Sequence, residues 1–183
     1  MSIPSAMRSR AEMEAAYRFF ANEKVSPEKI LQPHMEATHE RIAQQDFVLL
    51  VQDTTEISLT RPSQQVAGAG PMDSDVRRGA FFYPLMAFNK DGLPLGTAWQ
   101  KNWTRDKIET KMSKSEKGKK TVRTPIEQKE SFRWIEGLRA AHTIAGSCST
   151  TEFVCVSDSE SDIYDLFAPR SVVANIMRQR IFS

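Results

Sequence analysis

The chain has 183 residues, of which 40% are hydrophobic and 26% are charged, and its net charge is +2. This composition is ordinary for a globular protein and suffices for one domain with a real core, or for a small domain plus an arm. No run approaches the ~18 apolar residues of a membrane span, and residues 1–10 lack the apolar segment of a signal peptide. Two cysteines, Cys148 and Cys155, without CxxC spacing favour a reduced, cytoplasmic protein.

The first segment, residues 1–45, is expected to form a short helical arm. Residues 10–22 carry apolar side chains at helical spacing. A second helix is predicted to start at Ser26 and Pro27, because Ser26 can cap it and Pro27 suits the first helical position. We expect Pro33 to break or restart that helix.

The central part of the chain alternates apolar runs with turn residues. Residues 47–52 predict a buried strand, and the Gly- and Pro-containing residues 58–79 predict a long loop. Residues 81–88 and 93–99 predict two further strands. The turn at 89–92 contains Asp-Gly, a strong signal for an antiparallel hairpin.

A basic stretch at residues 101–123 holds nine Lys or Arg against three Asp or Glu. Such clusters are typical of surfaces that bind phosphate backbones, although a solvated surface loop is the simpler alternative. A helix over 125–144, a strand over 151–157 and the start of a helix over 162–167 are predicted to follow. The lysines proposed to contact DNA are Lys111, Lys114, Lys117, Lys119 and Lys120.

Two aspartates each follow a buried strand directly. Asp53 comes after the run 47–52, and Asp158 comes after the run 151–157. Carboxylates delivered from strand ends are suited to holding the divalent ions that phosphoryl transfer uses, which lie about 3.5–4 Å apart in two-metal sites. Taken singly, each aspartate could equally be a loop or helix cap.

Four short motifs resemble the DDE transposases of bacterial insertion sequences, in the subgroup that includes the transposon-five transposase. The resemblance implies an α/β fold, with an incomplete RNase H-like mixed sheet over residues 46–167 and a divergent tail over 168–183. In that fold the first and fourth strands lie side by side. The motifs are Glu-Met-Glu-Ala-Ala-Tyr-Arg-Phe-Phe at 12–20, Gln-Asp-Thr-Thr at 52–55, Glu-Ser-Phe-Arg-Trp at 130–134 and Asp-Ser-Glu-Ser-Asp-Ile-Tyr at 158–164.

The resemblance also implies a function and a site. Asp53 and Asp158 would be catalytic ligands of Mg²⁺, with Mn²⁺ as a possible substitute. The Thr54 and Thr55 hydroxyls would hydrogen-bond a phosphate or support the metal site, or would only stabilise the bend after the strand. Arg18 would contact DNA from the arm. The implied partners are double-stranded transposon ends and target DNA, with a homodimer in the full-length family, in the bacterial cytoplasm on the nucleoid.

Two departures limit this resemblance. The arm is shorter than in the family, and no Tyr-x2-Arg-x3-Glu-x6-Lys signature supplies the third carboxylate, so we expect a chain truncated at both ends. We therefore expect no strand transfer by this chain alone, and an exposed sheet edge because the family's fifth strand is missing. The alternatives are a catalytically inactive DNA-binding protein, or a small nuclease that uses Glu130 as its further carboxylate. Glu56, beyond the strand end, is predicted to be a solvated loop residue.

Overall fold

A computed structural model of the chain describes residues 6–61, 66–74, 76–106, 124–163 and the backbone of 178–181. Within these ranges the chain forms helices and strands in mixed order, so the predicted α/β class is confirmed. No helix in these ranges has the length and apolar character needed to cross a membrane.

Three α-helices and seven strands make up the described part of the fold. The helices are α1 (Arg10–Phe20), α2 (Pro27–Ile42) and α3 (Phe132–Ser147). The strands are β1 (Phe47–Gln52), β2 (Thr55–Ser58), β3 (Gly70–Pro71), β4 (Arg78–Asn89), β5 (Pro94–Trp103), β6 (Glu152–Ser157) and β7 (Arg178–Ile181).

All seven strands belong to one mixed sheet, whose central order is β5, β4, β1, β6, β7. β4 is antiparallel to both β1 and β5, whereas β1 and β6 are parallel. The predicted hairpin over β4 and β5 is confirmed, and so is the prediction that the strands at 47–52 and 151–157 are neighbours. Every second residue of β1 is buried, because β1 lies inside the sheet with α3 against one face.

The prediction of one long loop over residues 58–79 is wrong at three places, because β4 already begins at Arg78 and two shorter strands also take up part of this range. Ser58 ends β2, which pairs antiparallel with β4. Gly70 and Pro71 form β3, which also pairs with β4. These short strands were not predicted, because pairing with β4 rather than an apolar pattern of their own holds them in the sheet.

The start of α2 follows the prediction, but its course does not. The Ser26 hydroxyl accepts a hydrogen bond from the Lys29 amide at 3.4 Å, and Pro27 occupies the first turn. The expected break at Pro33 is wrong, because α2 continues through it to Ile42. Proline removes one helical hydrogen bond, and the contacts that α2 makes with β5 compensate for that loss.

Side chains of α2 bind backbone groups of the edge strand β5. The His34 Nε2 accepts a hydrogen bond from the Thr97 amide at 3.1 Å, and the Arg41 Nε donates to the Leu95 carbonyl at 2.6 Å. Unpaired edge groups are a template for unwanted strand pairing. The helix therefore protects this edge while it fixes the arm to the sheet.

The core between α3 and the sheet contains a polar cluster. The Tyr83 hydroxyl donates to the Gln52 Oε1 at 2.6 Å, and the Trp134 ring meets the Tyr83 ring edge to face at 5.1 Å between centroids. Trp134 is 1% exposed and lies in the core. Cys155 is fully buried, and burial raises the pKa of its thiol to about 12.

The sheet edge beside β6 differs from the expectation. We expected an exposed sheet edge for want of a fifth strand, but the backbone of β7 pairs with β6 in parallel, with Val154 opposite Arg178. The helix predicted over 162–167 falls mainly on residues outside the described ranges. Before them, a short 3-10 helix over Ser159–Ser161 follows β6.

Replacing Gly137 by alanine is expected to destabilise the protein. A Cβ atom at this position of α3 would lie 2.6 Å from the Gln52 Oε1 and 2.9 Å from the Tyr83 hydroxyl, both buried. Overpacking of this kind costs about 1–3 kcal/mol, which exceeds the gain in helix propensity. Urea unfolding of the full chain measures the change.

Gly146→Ala is the matched control for Gly137→Ala. Gly146 lies on the same helix, and a Cβ there meets nothing within 4 Å. It should be neutral or stabilising by up to about 1 kcal/mol. Equal effects of the two substitutions would contradict a close approach of α3 to the sheet at Gly137.

Candidate metal site at the ends of β1 and β6

The register of β1 and β6 brings the two predicted aspartates together. Val51 is opposite Val156 in this parallel pair. Asp53 and Asp158 each follow directly after the last residue of their strand, so a continuation of this register places them at the same edge of the sheet. Because neighbouring strands lie about 4.8 Å apart, the two backbones are close enough for the carboxylates to share a cation.

Each aspartate uses one oxygen locally. The Asp53 Oδ1 accepts a hydrogen bond from the Thr54 amide at 2.6 Å, and the Asp158 Oδ1 accepts one from the Glu160 amide at 3.0 Å. Asp158 thereby caps the short 3-10 helix over Ser159–Ser161. One of its oxygens therefore has the capping role that the sequence also allowed as the alternative to metal binding. Among the described residues, the second oxygen of each carboxylate has no hydrogen bond and neither aspartate forms an ion pair.

The buried Tyr83 hydroxyl lies within electrostatic reach of both aspartates. Burial raises the pKa of Tyr83 above its usual range. The positive charge of Arg133 opposes this rise, and the negative charges of Asp158 and Asp53 add to it. Tyr83 therefore stays protonated and donates to the Gln52 Oε1 directly below the strand end.

Arg133 joins the segments that follow the two strands, a role that the sequence interpretation missed. Its Nε donates to the Thr54 Oγ1 at 2.9 Å, and its Nη2 lies 2.9 Å from a carboxylate oxygen of Glu160. A third bond runs from Nη1 to the Glu130 carbonyl at 3.0 Å. The only sequence signal was its place inside the motif at 130–134.

A cavity of about 200 Å³ opens beside Asp53. The rings of Phe81 and Trp103 form its apolar wall and stack at 5.2 Å between centroids. Asp158 is not part of the lining of this cavity. The charged groups that line the cavity are four carboxylates and two guanidinium groups, those of Asp53, Glu56, Glu130, Glu160, Arg105 and Arg133.

Carboxylate oxygens are the ligands that Mg²⁺ prefers, and Mg²⁺ commonly keeps several waters beside one or two protein carboxylates. Asp53 and Asp158 fit this sparse type of site. The described residues contain no group of three or more His, Cys, Asp or Glu side chains arranged to hold a metal ion. In the described part of the chain, no third His, Cys, Asp or Glu side chain therefore joins Asp53 and Asp158 in such a group.

Glu130, the candidate carboxylate of a small nuclease, lies in the turn before α3 rather than on a helix. Both its oxygens are paired with Arg105, at 2.5 and 2.6 Å. The hydrogen bonds from Arg105 hold the pKa of Glu130 below its usual value. Glu130 lines the same cavity as Asp53 but is engaged by a cation of the chain itself.

The remaining predicted site residues near β1 lie on β2. Thr55 is exposed at the start of this strand. Glu56, which we expected in a solvated loop, lies in β2 and forms an ion pair with Arg77 at 3.1 Å. The loop assignment was wrong because β2 continues the line of β1 along β4 after only two residues, Asp53 and Thr54.

The predicted DNA contacts lie away from the carboxylates or outside the described residues. Arg18 is exposed in the last turn of α1, a helix with no buried residue. Large parts of the Tyr17 and Phe20 side chains on this helix are also exposed, 49% and 67%. The basic stretch is described only to residue 106. Its five proposed contacts, Lys111, Lys114, Lys117, Lys119 and Lys120, lie outside the described residues.

Comparison with known proteins bears on the arm alone. A family model described as transposase DNA-binding matches residues 1–25, the segment that contains α1. No curated protein matches the chain. The match is consistent with a transposase and supports DNA as a partner, and it covers neither aspartate.

Replacing Glu130 by glutamine is expected to weaken folding at neutral pH by no more than about 1 kcal/mol, the range for a partly exposed ion pair. Arg105 lowers the pKa of Glu130, so the carboxylate stabilises the fold above the unfolded-state pKa and loses this effect as the pH falls through the lower folded-state pKa. Urea unfolding over a pH series should therefore show the difference shrinking below pH 4.5, the ordinary value for this carboxyl.

The control for this series is Glu127→Gln, which removes an exposed charge from the same turn. Glu127→Gln should not produce the same pH-dependent change in the free energy of unfolding. If the loss of unfolding free energy caused by Glu130→Gln stays constant down to strongly acidic pH, the pairing with Arg105 is contradicted.

Proposed function

We propose that this chain is a DDE-type transposase protein whose sheet carries a divalent-metal site for phosphodiester chemistry at Asp53 and Asp158. The observation that carries this proposal is the parallel register of β1 and β6, which sets the two aspartates level at one sheet edge. Each aspartate keeps one oxygen without a hydrogen-bond partner among the described residues. The transposase DNA-binding match over residues 1–25 supports the same class of protein.

We further propose that the sheet is RNase H-like. This proposal is supported by the pairing of β1 with β6, because the motif resemblance led us to expect the strands at 47–52 and 151–157 side by side. Architecture alone does not specify a reaction. The fold is useful to the proposal because it explains how aspartates about a hundred residues apart in sequence meet at one edge.

In the proposed site Asp53 and Asp158 would hold Mg²⁺ or Mn²⁺. Such an ion supplies an activated water and stabilises charge on the attacking and leaving oxygens of a phosphodiester. The chain itself orients the two carboxylates through the Thr54 and Glu160 amides. The Thr54 hydroxyl is held by Arg133, which favours a supporting role for Thr54 over contact with DNA.

We propose that the arm binds DNA through α1. The match over residues 1–25 includes this helix, which buries no side chain against the rest of the described fold. Arg18 is exposed there and free to approach a phosphate. The lysines of the basic stretch would add sequence-independent affinity.

A second candidate is a DNA-binding protein without cleavage activity. It is favoured by the lack of a third suitable metal ligand among the described residues. In this case Asp53 and Asp158 would bind a cation weakly, and the arm and basic stretch would carry the function.

Asp53→Asn and Asp158→Asn should each abolish metal-dependent DNA nicking if the chain is active. We expect Mn²⁺-dependent nicking of a supercoiled plasmid to fall by more than about 100-fold. Loss of a residue that only supports a metal ligand costs up to about 100-fold, and loss of the ligand itself should cost more. The control is binding of a fluorescein-labelled DNA duplex, which both variants should retain. Nicking that survives both substitutions would contradict the proposed site, whereas DNA binding without nicking by the wild type would favour the second candidate.

Arg18→Gln should weaken DNA binding, and the affinity should fall by the same factor whatever the sequence of the DNA duplex. Loss of one phosphate contact should also reduce the slope of log K against log salt concentration by about 1. Fluorescence anisotropy with a labelled duplex at several salt concentrations measures both quantities. Lys90→Gln, which removes an exposed cation at the tip of the β4–β5 hairpin, is the control and should change neither. An unchanged slope for Arg18→Gln would exclude this contact.

A further inference from the structure

We propose that Arg133 is a positioning residue that fixes the spacing of the two strand ends carrying Asp53 and Asp158. This inference rests on the proposed metal site and adds a residue to it. Arg133 lies on α3, far from both aspartates in sequence, and it reaches the segments that follow β1 and β6.

The contacts of Arg133 converge on the two residues that also orient the aspartates. Thr54 accepts from the Arg133 Nε through its hydroxyl and donates its amide to Asp53. Glu160 pairs with the Arg133 Nη2 through its carboxylate and donates its amide to Asp158. One guanidinium group therefore connects the two aspartates through one intermediate residue on each side.

The guanidinium group is well fixed for such a role. The Arg133 side chain is only 12% exposed. Its guanidinium carbon lies 5.2 Å from the Trp134 ring centroid and 5.8 Å from that of Trp103, and its Nη1 donates to the Glu130 carbonyl. A planar fork of donors held in this way presents its bonds in fixed directions, which a lysine ammonium cannot reproduce.

The position of Arg133 cannot be explained by attraction to the metal, because a positive charge near a cation site opposes cation binding. Charge alone predicts that removal of Arg133 tightens metal binding. A positioning role predicts the opposite, since without the connection the two carboxylates are no longer held at one separation. The sign of the change therefore distinguishes the two roles.

The test is a titration of the full-length chain with Mn²⁺, with free Mn²⁺ followed by its electron paramagnetic resonance signal. Arg133→Gln should weaken Mn²⁺ binding about tenfold or more, the usual effect of losing a supporting group beyond the ligands. Arg133→Lys keeps the charge and should also weaken binding. Binding by Arg133→Gln that is unchanged or tighter would overturn the inference.

Thr54→Val provides a second variant that changes no charge. It removes the hydroxyl that accepts from Arg133 and should weaken Mn²⁺ binding as well. Because the two groups would act through one connection, the double variant Thr54→Val/Arg133→Gln should bind no more weakly than Arg133→Gln alone. Fully additive losses would count against a shared connection.

Arg139→Gln is the matched control on the same helix. The Arg139 guanidinium lies 5.5 Å from the Phe132 ring centroid, and Arg139 is not part of the cavity lining beside Asp53. Its substitution should leave Mn²⁺ binding unchanged, and urea unfolding of all variants separates loss of folding from loss of the site.

The proposed function and this inference fail in different ways. If Asp53→Asn and Asp158→Asn bind Mn²⁺ as the wild type does, the metal site itself is wrong and the role of Arg133 falls with it. If those two variants lose binding while Arg133→Gln keeps it, the metal site stands and the positioning role is rejected.

Discussion

The parallel pairing of β1 with β6 is the constraint on which the rest of the described site depends. β1 lies inside the sheet and bonds to β4 on one side and to β6 on the other, so its end cannot shift without breaking two ladders. Parallel strands are stable only when covered, and α3 supplies cover on one face. The rigidity of this pair fixes the backbone ends from which Asp53 and Asp158 follow, and the proposed connection through Arg133 acts on the segments beyond those ends.

The buried polar cluster beneath the strand end couples α3 to that pair. Gln52, the last residue of β1, accepts from Tyr83 on β4, and Gly137 lets α3 approach both. The same helix carries Arg133 one turn earlier, so the depth at which α3 packs also sets where the guanidinium group lies. Packing in the core and geometry at the sheet edge are therefore linked through one helix.

The sequence was sufficient to predict the features that depend on local patterns. The apolar run before Asp53 and the Asp-Gly turn between β4 and β5 are such patterns. The strand β1 and the β4–β5 hairpin that they predict are confirmed. Pro33 was misread because the hydrogen bond it removes is outweighed by contacts with β5, which only the tertiary fold creates. Arg133 and the Arg105–Glu130 pair were missed for the same reason, since their partners are distant in sequence.

The charges around Asp53 and Asp158 are distributed unevenly, and this bears on where a cation would bind. Three glutamates beside the site each have an arginine partner, in the pairs Glu56–Arg77, Glu130–Arg105 and Glu160–Arg133. Within the described ranges the two aspartates have none, although they stand level on neighbouring strands. Two adjacent carboxylates repel each other unless a cation lies between them or one takes up a proton. A divalent ion at the aspartates would satisfy the pair that the arginines leave unmatched, which is why we assign the proposed metal to Asp53 and Asp158 rather than to the more numerous glutamates.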